Sequence, residues 1–363
     1  MPFDLDSALA EAVRLGASDL HLKVPSVPRI RVAGELVDLP GSKPLTPRDT
    51  ARVREQVITS ELKQRHFEEL GSADLSYFNG EARFRVAAFS QRGSNSFVFR
   101  VVLSAPDVSQ LGLPEVIPSW ADAMRGLIVV TGPTGSGKST TVAAIVDMVN
   151  RRRSCHILTI EDPIEYLHTD NEAVVCQREI GLDAPTYHVA LRAALRQDPD
   201  VIVIGEVRDE ETAMTALRAA ETGHLVLCTM HTVNAGETVQ RFIDLFGPRQ
   251  AGLARQILAS TLVGISSQRL LPAMGGGRVL NAEVLVNSSR VRDMIANAAD
   301  HKELQQAIEE GDYYGMRTFD QDLITKVRGG VVTMEDALAY ATNAHDFKLA
   351  LEASEPVPTT EPA

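Results

Sequence analysis

The stretch GPTGSGKST, Gly132 to Thr140, constrains this chain more than any other. It follows the apolar run LIVVT and precedes a segment in which Val142, Ile145, Val146 and Val149 share one helical face. Strand, glycine-rich loop and helix in that order form a phosphate-binding loop. Gly132, Gly135 and Gly137 let backbone N–H groups face phosphate oxygens, and the helix N-terminus adds favourable partial charge. Pro133, Thr134, Ser136 and Thr140 complete the cradle. Lys138 is expected to reach the β- and γ-phosphates, and the Ser139 hydroxyl to hold Mg²⁺. The expected ligand is therefore a nucleotide with Mg²⁺.

The rest of this region fits such a loop. LIVVT, HILTI, VIVIG and LVLCTM are short continuous apolar runs, as strands buried on both faces of a largely parallel sheet require. Helical stretches separate them, Ala213, Leu217 and Ala220 sharing one face, so the spacing predicts a wound α/β domain. From Arg249 onward most segments read as helices, apart from RVLNAEVLV after the GGG turn.

The N-terminal region has a different rhythm. Leu5, Leu9, Ala12 and Val13 predict a short helix, and SDLHLKV, RIRVAGELVDLP, ARFRVAAF and FVFRVVL alternate as half-buried strands do. A helical stretch is expected from about Thr46 to Glu69. SQRGSNS is the expected hairpin loop between the last two strands. The organisation read from the sequence is a mixed α/β domain over 1–103, a Pro- and Ser-rich linker over 104–117, the phosphate-loop domain over 118–350 and a disordered tail over 351–363.

Composition narrows the functional classes. At 363 residues, with 44% hydrophobic and 23% charged residues, two ordinary globular domains are expected. A net charge of −12 repels nucleic acid, so no nucleic-acid partner is expected. The one tight basic run, RRRS (Arg151 to Ser154), suits a helix C-terminus. Cys155, Cys176 and Cys228 are odd in number and lack a CxxC pair, so neither a disulfide framework nor a zinc site is indicated. The first residues lack the pattern of a signal peptide and no apolar run matches a membrane span, so a cytoplasmic location is expected.

Candidate acids stand where strands end. In wound sheets, ligands bind beyond the carboxyl ends of the strands. Glu161 and Asp162 follow HILTI, and Glu206 follows VIVIG. A carboxylate at either place could hold Mg²⁺ or orient the attacking water; spacing leaves open whether Glu161 or Glu206 is nearer the water. Asp162-Pro163 also reads as a turn, and Arg208 and Asp209 as local ion pairs or caps. His231 emerges at the end of LVLCTM as a candidate γ-phosphate sensor. His224 precedes that strand and would lie at its far end.

Glu161 in ILTIEDPIEYLH, Glu206 in DPDVIVIGEVRD and His231 in AAETGHLVLCTMHT thus follow one phosphate loop. These stretches resemble the Asp box, atypical Walker B motif and His box of the secretion ATPase superfamily, most closely the type IV pilus retraction ATPases of the PilT family. The resemblance runs from GASDLHL to about residue 350. It implies a homohexameric ATP-hydrolysing motor with an N-terminal PAS-like domain and a C-terminal RecA-like P-loop domain with a helical C-terminal part. It also implies work at the cytoplasmic face of the inner membrane on a pilus platform protein, powering pilus retraction and twitching motility. Arginines of the N-terminal domain complete the nucleotide site in that family, and Arg85 and Arg100 are the matching positions. Alternation alone places Arg83 and Arg85 on one strand face and Arg100 opposite the Phe97 and Phe99 side.

Two absences point to the short, retraction-type subgroup: no further domain precedes ASDLHL here, and no four-cysteine element appears. One departure points the other way. Where the retraction family carries AIRNLIRE, this chain has SRVRDMIANAAD, with Ala296-Asn297 in place of the late Arg-Glu pair. A pilus assembly or accessory motor is the alternative within the superfamily. A nucleic-acid translocase and a nucleotide-gated scaffold are the alternatives outside it; acidic charge opposes the first and the full set of acids the second.

Overall fold

A computed structural model describes residues 3–353. The expected disordered tail lies outside the described residues from 354 on, while 351–353 finish the helix Ala344–Ala353. The chain divides into two compact units. The first takes the residues up to Ser104 and also Ile160–Thr169 and Gln177–Ala190; the second takes the remainder. A contiguous division near 103 does not separate out those two later segments, because their contacts, not their sequence position, assign them.

The first unit is built on a six-stranded sheet of β1 (Asp19–Leu22), β2 (Arg29–Val32), β3 (Glu35–Asp38), β4 (Ser72–Phe78), β5 (Arg83–Gln91) and β6 (Ser94–Val101). Their order is β3-β2-β1-β6-β5-β4, antiparallel throughout. Two hairpins turn on residue pairs with positive φ, Ala33-Gly34 and Arg92-Gly93, whose twist matches that of the flanking strands. RIRVAGELVDLP turns at Gly34, as its sequence suggests, with a strand on each side. One sheet face buries Leu20, Leu22, Ile30, Phe84, Val86, Phe97 and Phe99 with Leu5 and Leu9 of the helix Leu5–Arg14. Asp4 caps that helix by accepting from the Ser7 amide. The helical stretch over Thr46–Glu69 is two helices, Pro47–Val57 and Glu61–Leu70; buried Ile58 ends the first and Ser60 opens the second. β7 (Leu103–Ser104) pairs in parallel with β10 (Tyr166–Leu167).

The second unit is built on a seven-stranded sheet: β11 (Val174–Glu179), β9 (His156–Glu161), β12 (Val201–Ile204), β13 (Leu225–Met230), β8 (Gly126–Thr131), β14 (Leu262–Pro272) and β15 (Arg278–Val286), in that spatial order. The division between units falls within β9 and β11. β12, β13, β8 and β14 run parallel, and β15 closes the edge antiparallel to β14. Every residue of β8, β12 and β13 is buried, as their continuous apolar runs require. The sheet is covered by helices that include Lys138–Arg152, Glu210–Glu221 and Ala235–Asp244.

β14 departs from the sequence expectation of helix. Its core carries Ser266, Ser267 and Gln268, all fully buried. Those polar residues interrupt the apolar run that would mark a buried strand. At the start of β14, Gly264 admits the ring of Trp120: a Cβ there would stand 2.5 Å from the indole.

Candidate active site

The phosphate loop leaves β8 at Thr131 and enters the helix Lys138–Arg152 through Gly137, whose φ is +90°. No side chain caps that helix, and a helix N-terminus favours negative charge. Gly132 has φ +141° and its Cα faces the Gln268 carbonyl so closely that a Cβ could not fit. Lys138 is 9% exposed and donates to the carbonyls of Gly132 and Pro133 at 2.9 and 3.0 Å. The Ser136 hydroxyl is buried and finds no hydrogen-bond partner. A glycine-rich helix entry, a cation turned into its own loop and an orphaned hydroxyl form a cradle suited to phosphate oxygens.

Support for this loop comes from residues the sequence did not single out. Thr131 donates to Ser267 Oγ at 2.9 Å, and Gln268 Nε2 donates to Thr141 Oγ1 at 2.8 Å. Both bonds are buried, so β14 grips the loop at its entry and one turn into its helix. The signal available was SSQ within an otherwise apolar stretch: buried polar groups persist only where they are bonded.

Glu206 and His231 are brought together. β12, β13 and β8 are adjacent and parallel, so the residues beyond their carboxyl ends share one edge of the sheet. Gly205 turns the chain there, its carbonyl accepting from Thr229 Oγ1. Glu206 Oε1 lies 3.3 Å from His231 Nε2, and Oε2 accepts from Arg208 at 2.5 Å. Burial alone would raise the Glu206 pKa, but the Arg208 hydrogen bond and the His231 ring outweigh it and bring it below its ordinary value. The carboxylate is ionised. Asp209 caps the helix Glu210–Glu221 through the Thr212 amide at 2.8 Å. His224 sits before β13, at the opposite end, with Nδ1 2.9 Å from the Ala219 carbonyl of that helix, a structural position.

Within the first unit, Arg85 stands directly opposite Arg100, and Arg100 opposite Asp19. Like charges in cross-strand positions destabilise a sheet unless a counter-ion shares them. Asp19, 4% exposed, accepts from Arg100 Nε at 2.9 Å, which leaves the outer nitrogens of that guanidinium clear of this bond. Both arginines line a cavity of about 210 Å³ with Ile164, Glu165 and Tyr166. Arg83 takes another course and pairs with Glu179 at 3.1 Å. Glu161, at the end of β9, accepts from Gln177 Nε2 at 3.2 Å, while Asp162 is exposed.

Among the described residues no cluster of three His, Cys, Asp or Glu side chains could hold a metal unaided. A hydroxyl at Ser139 and an ionised carboxylate at Glu206 suit Mg²⁺, which ordinarily takes one or two protein oxygens and completes its shell with water and substrate phosphates.

Comparison with known proteins identifies the family. Residues 3–276 match the family described as Type II/IV secretion system protein. The Pseudomonas aeruginosa protein named type IV pilus retractation ATPase PilT is 40% identical over 95% of this chain and 100% of its own length. The type IV pilus ATPase PilU of the same organism is 38% identical over 96% of this chain and 91% of its own length. The crystal structure of the pilus retraction motor PilT with bound ADP superposes with a TM-score of 0.85 at 42% identity, covering 96% of this chain and 99% of that one. The chain is a member of the type II/IV secretion system protein family and belongs with its pilus retraction ATPases.

Proposed function

We propose that this chain hydrolyses ATP to ADP and phosphate and uses the energy to retract type IV pili. The observation that carries the reading is a self-bonded Lys138 in a phosphate cradle, with the Glu206 carboxylate at the same edge of the sheet, beyond a parallel strand one removed from that of the loop. Its similarity to a retraction ATPase over that protein's whole length supports the direction of the motor.

Lys138 exchanges its loop carbonyls for β- and γ-phosphate oxygens, and the loop amides fix the phosphate chain. Ser139 and Glu206 would hold Mg²⁺, which when bound would supply charge neutralisation to the phosphates. Glu161 and Glu206 share the orientation of the attacking water, Arg85 and Arg100 stabilise charge on the transferring phosphoryl group, and His231 senses it through Glu206. Catalysis of this kind is mostly positioning and electrostatics.

In this reading, the PAS-like region to residue 103 and the RecA-like region over 118–350 are the moving parts, joined by 104–117. The motor is a homohexamer at the cytoplasmic face of the inner membrane, acting on the pilus platform protein. Among the described residues no helix is long and apolar enough to cross a membrane.

A strain lacking the protein tests the direction of work. Excess surface pili with lost twitching is the expected result; a bald or unchanged surface overturns retraction. An accessory motor is the second reading, favoured by the Ala296-Asn297 departure. There the helix Ser289–Ala296 ends, with Asn297 Nδ2 bonded back to the Asp293 carbonyl and Gln256 Nε2 to that of Ala296.

A further inference from the structure

Glu179 ends β11 as a carboxylate only 3% exposed. Its Oε2 accepts from three directions: Ser76 Oγ at 2.6 Å, Arg83 Nη2 at 3.1 Å and the Ile164 amide at 3.3 Å. Strands β4 and β5 of the first sheet and the loop after Glu161 therefore converge on one oxygen. Two residues earlier, Gln177 ties down the same loop. Its Nε2 donates to Glu161 Oε1 and, at 2.9 Å, to the Tyr166 carbonyl, and its Oε1 accepts from the His168 amide at 3.0 Å. The Glu161 carbonyl accepts from the Ile180 amide at 2.8 Å.

Ser76 stands directly opposite Arg85, and Arg83 lies two residues from Arg85 on the same face. All of these residues belong to the first unit. One short segment, Gln177–Ile180, thus holds Glu161 at one side and the arginine-bearing face at the other.

We propose that Glu179 is a positioning residue that fixes Glu161 and Arg85 in one frame, so that both groups meet the nucleotide as a set. The inference rests on the reading that Glu161 and Arg85 act on ATP. A buried ion pair kept only for stability can be exchanged for apolar residues at little or no cost, whereas losing one partner strands the other charge. A positioning pair cannot be exchanged without cost to turnover.

The test compares Glu179→Gln, the double variant Arg83→Met/Glu179→Leu, and Gln177→Ala, each in the full-length chain. Thermal midpoint, affinity for a fluorescent ADP analogue, and kcat and KM for ATP are measured. The double variant should recover the melting temperature lost in the single one, while kcat stays down by about 10²-fold, as for a misplacement near 1 Å, with KM and ADP affinity little changed. Recovery of kcat together with the melting temperature overturns the proposal. If the double variant does not fold, Gln177→Ala decides: a fall in kcat at constant KM supports positioning, and an unchanged kcat overturns it. Glu161→Gln and Arg85→Ala run in parallel. Loss of activity in both, with the Glu179 variants active, rejects only the positioning role; activity retained in both rejects the underlying reading as well.

Discussion

Replacing Gly132 with Ala asks how closely β14 must approach the phosphate loop. The new Cβ would press into the Gln268 backbone carbonyl and stand 2.6 Å from Ser136 Oγ. Ordinary contact needs about 3.5 Å, so the loop or β14 must yield by roughly 1 Å. The serine can rotate, but the carbonyl is fixed by its strand. Left-handed backbone costs a non-glycine residue about 1–2 kcal/mol, and forced displacement in a packed region about 1–3 kcal/mol more. Gly223→Ala separates the two: its φ is +113°, but no heavy atom lies within 4 Å of the added Cβ. It should therefore lose only the strain, about 2–8 °C in melting temperature for a domain of this size. Gly132→Ala should melt lower still and lose about 10²-fold in kcat/KM for ATP, since a 1 Å shift moves the phosphates against the groups that act on them. Calorimetric melting and steady-state hydrolysis read both effects. Wild-type turnover in Gly132→Ala would refute the reasoning.

Glu206→Gln should keep ADP binding while hydrolysis falls by at least about 10²-fold, because the neutral amide neither orients water nor holds a cation as well. Undiminished hydrolysis would remove Glu206 from the mechanism. Arg208→Ala withdraws the leading influence that lowers the Glu206 pKa, so the acid limb of the kcat/KM profile should move to higher pH. The sign for stability agrees: a depressed folded-state pKa stabilises above the unfolded value near 4.3, and that contribution disappears as pH falls through the folded value. The wild-type protein should therefore lose more stability than Arg208→Ala as pH falls from neutral to well below about pH 4. A thiol reagent should label exposed Cys176 first and half-buried Cys155 more slowly. Cys228, fully buried with its pKa pushed up to about 12 by burial, should react only on unfolding.

Local chemistry made much of this legible. The P-loop announced itself because glycine spacing, lysine and helix entry lie within nine residues. Parallel strands did so because burial on both faces leaves unbroken apolar runs. Glu206 and His231 could be placed because each follows such a run directly. β14 was hidden because its buried Ser266, Ser267 and Gln268 look like surface residues until Thr131 and Thr141 are seen to bond two of them. Glu179 was hidden for a related reason. Its partners Ser76 and Arg83 lie about a hundred positions away, and no periodicity within a segment reports on a contact of that range.

Trp120 is the chain's single tryptophan, 3% exposed and seated against Gly264, where β14 begins. Nature has thereby placed the one tryptophan in the ATPase unit. Excited at wavelengths that tyrosine does not absorb, it gives an optical signal from beside the strand that supports the phosphate loop. Ligand-induced or denaturant-induced changes in that light report on this unit alone, without a dye or an engineered label.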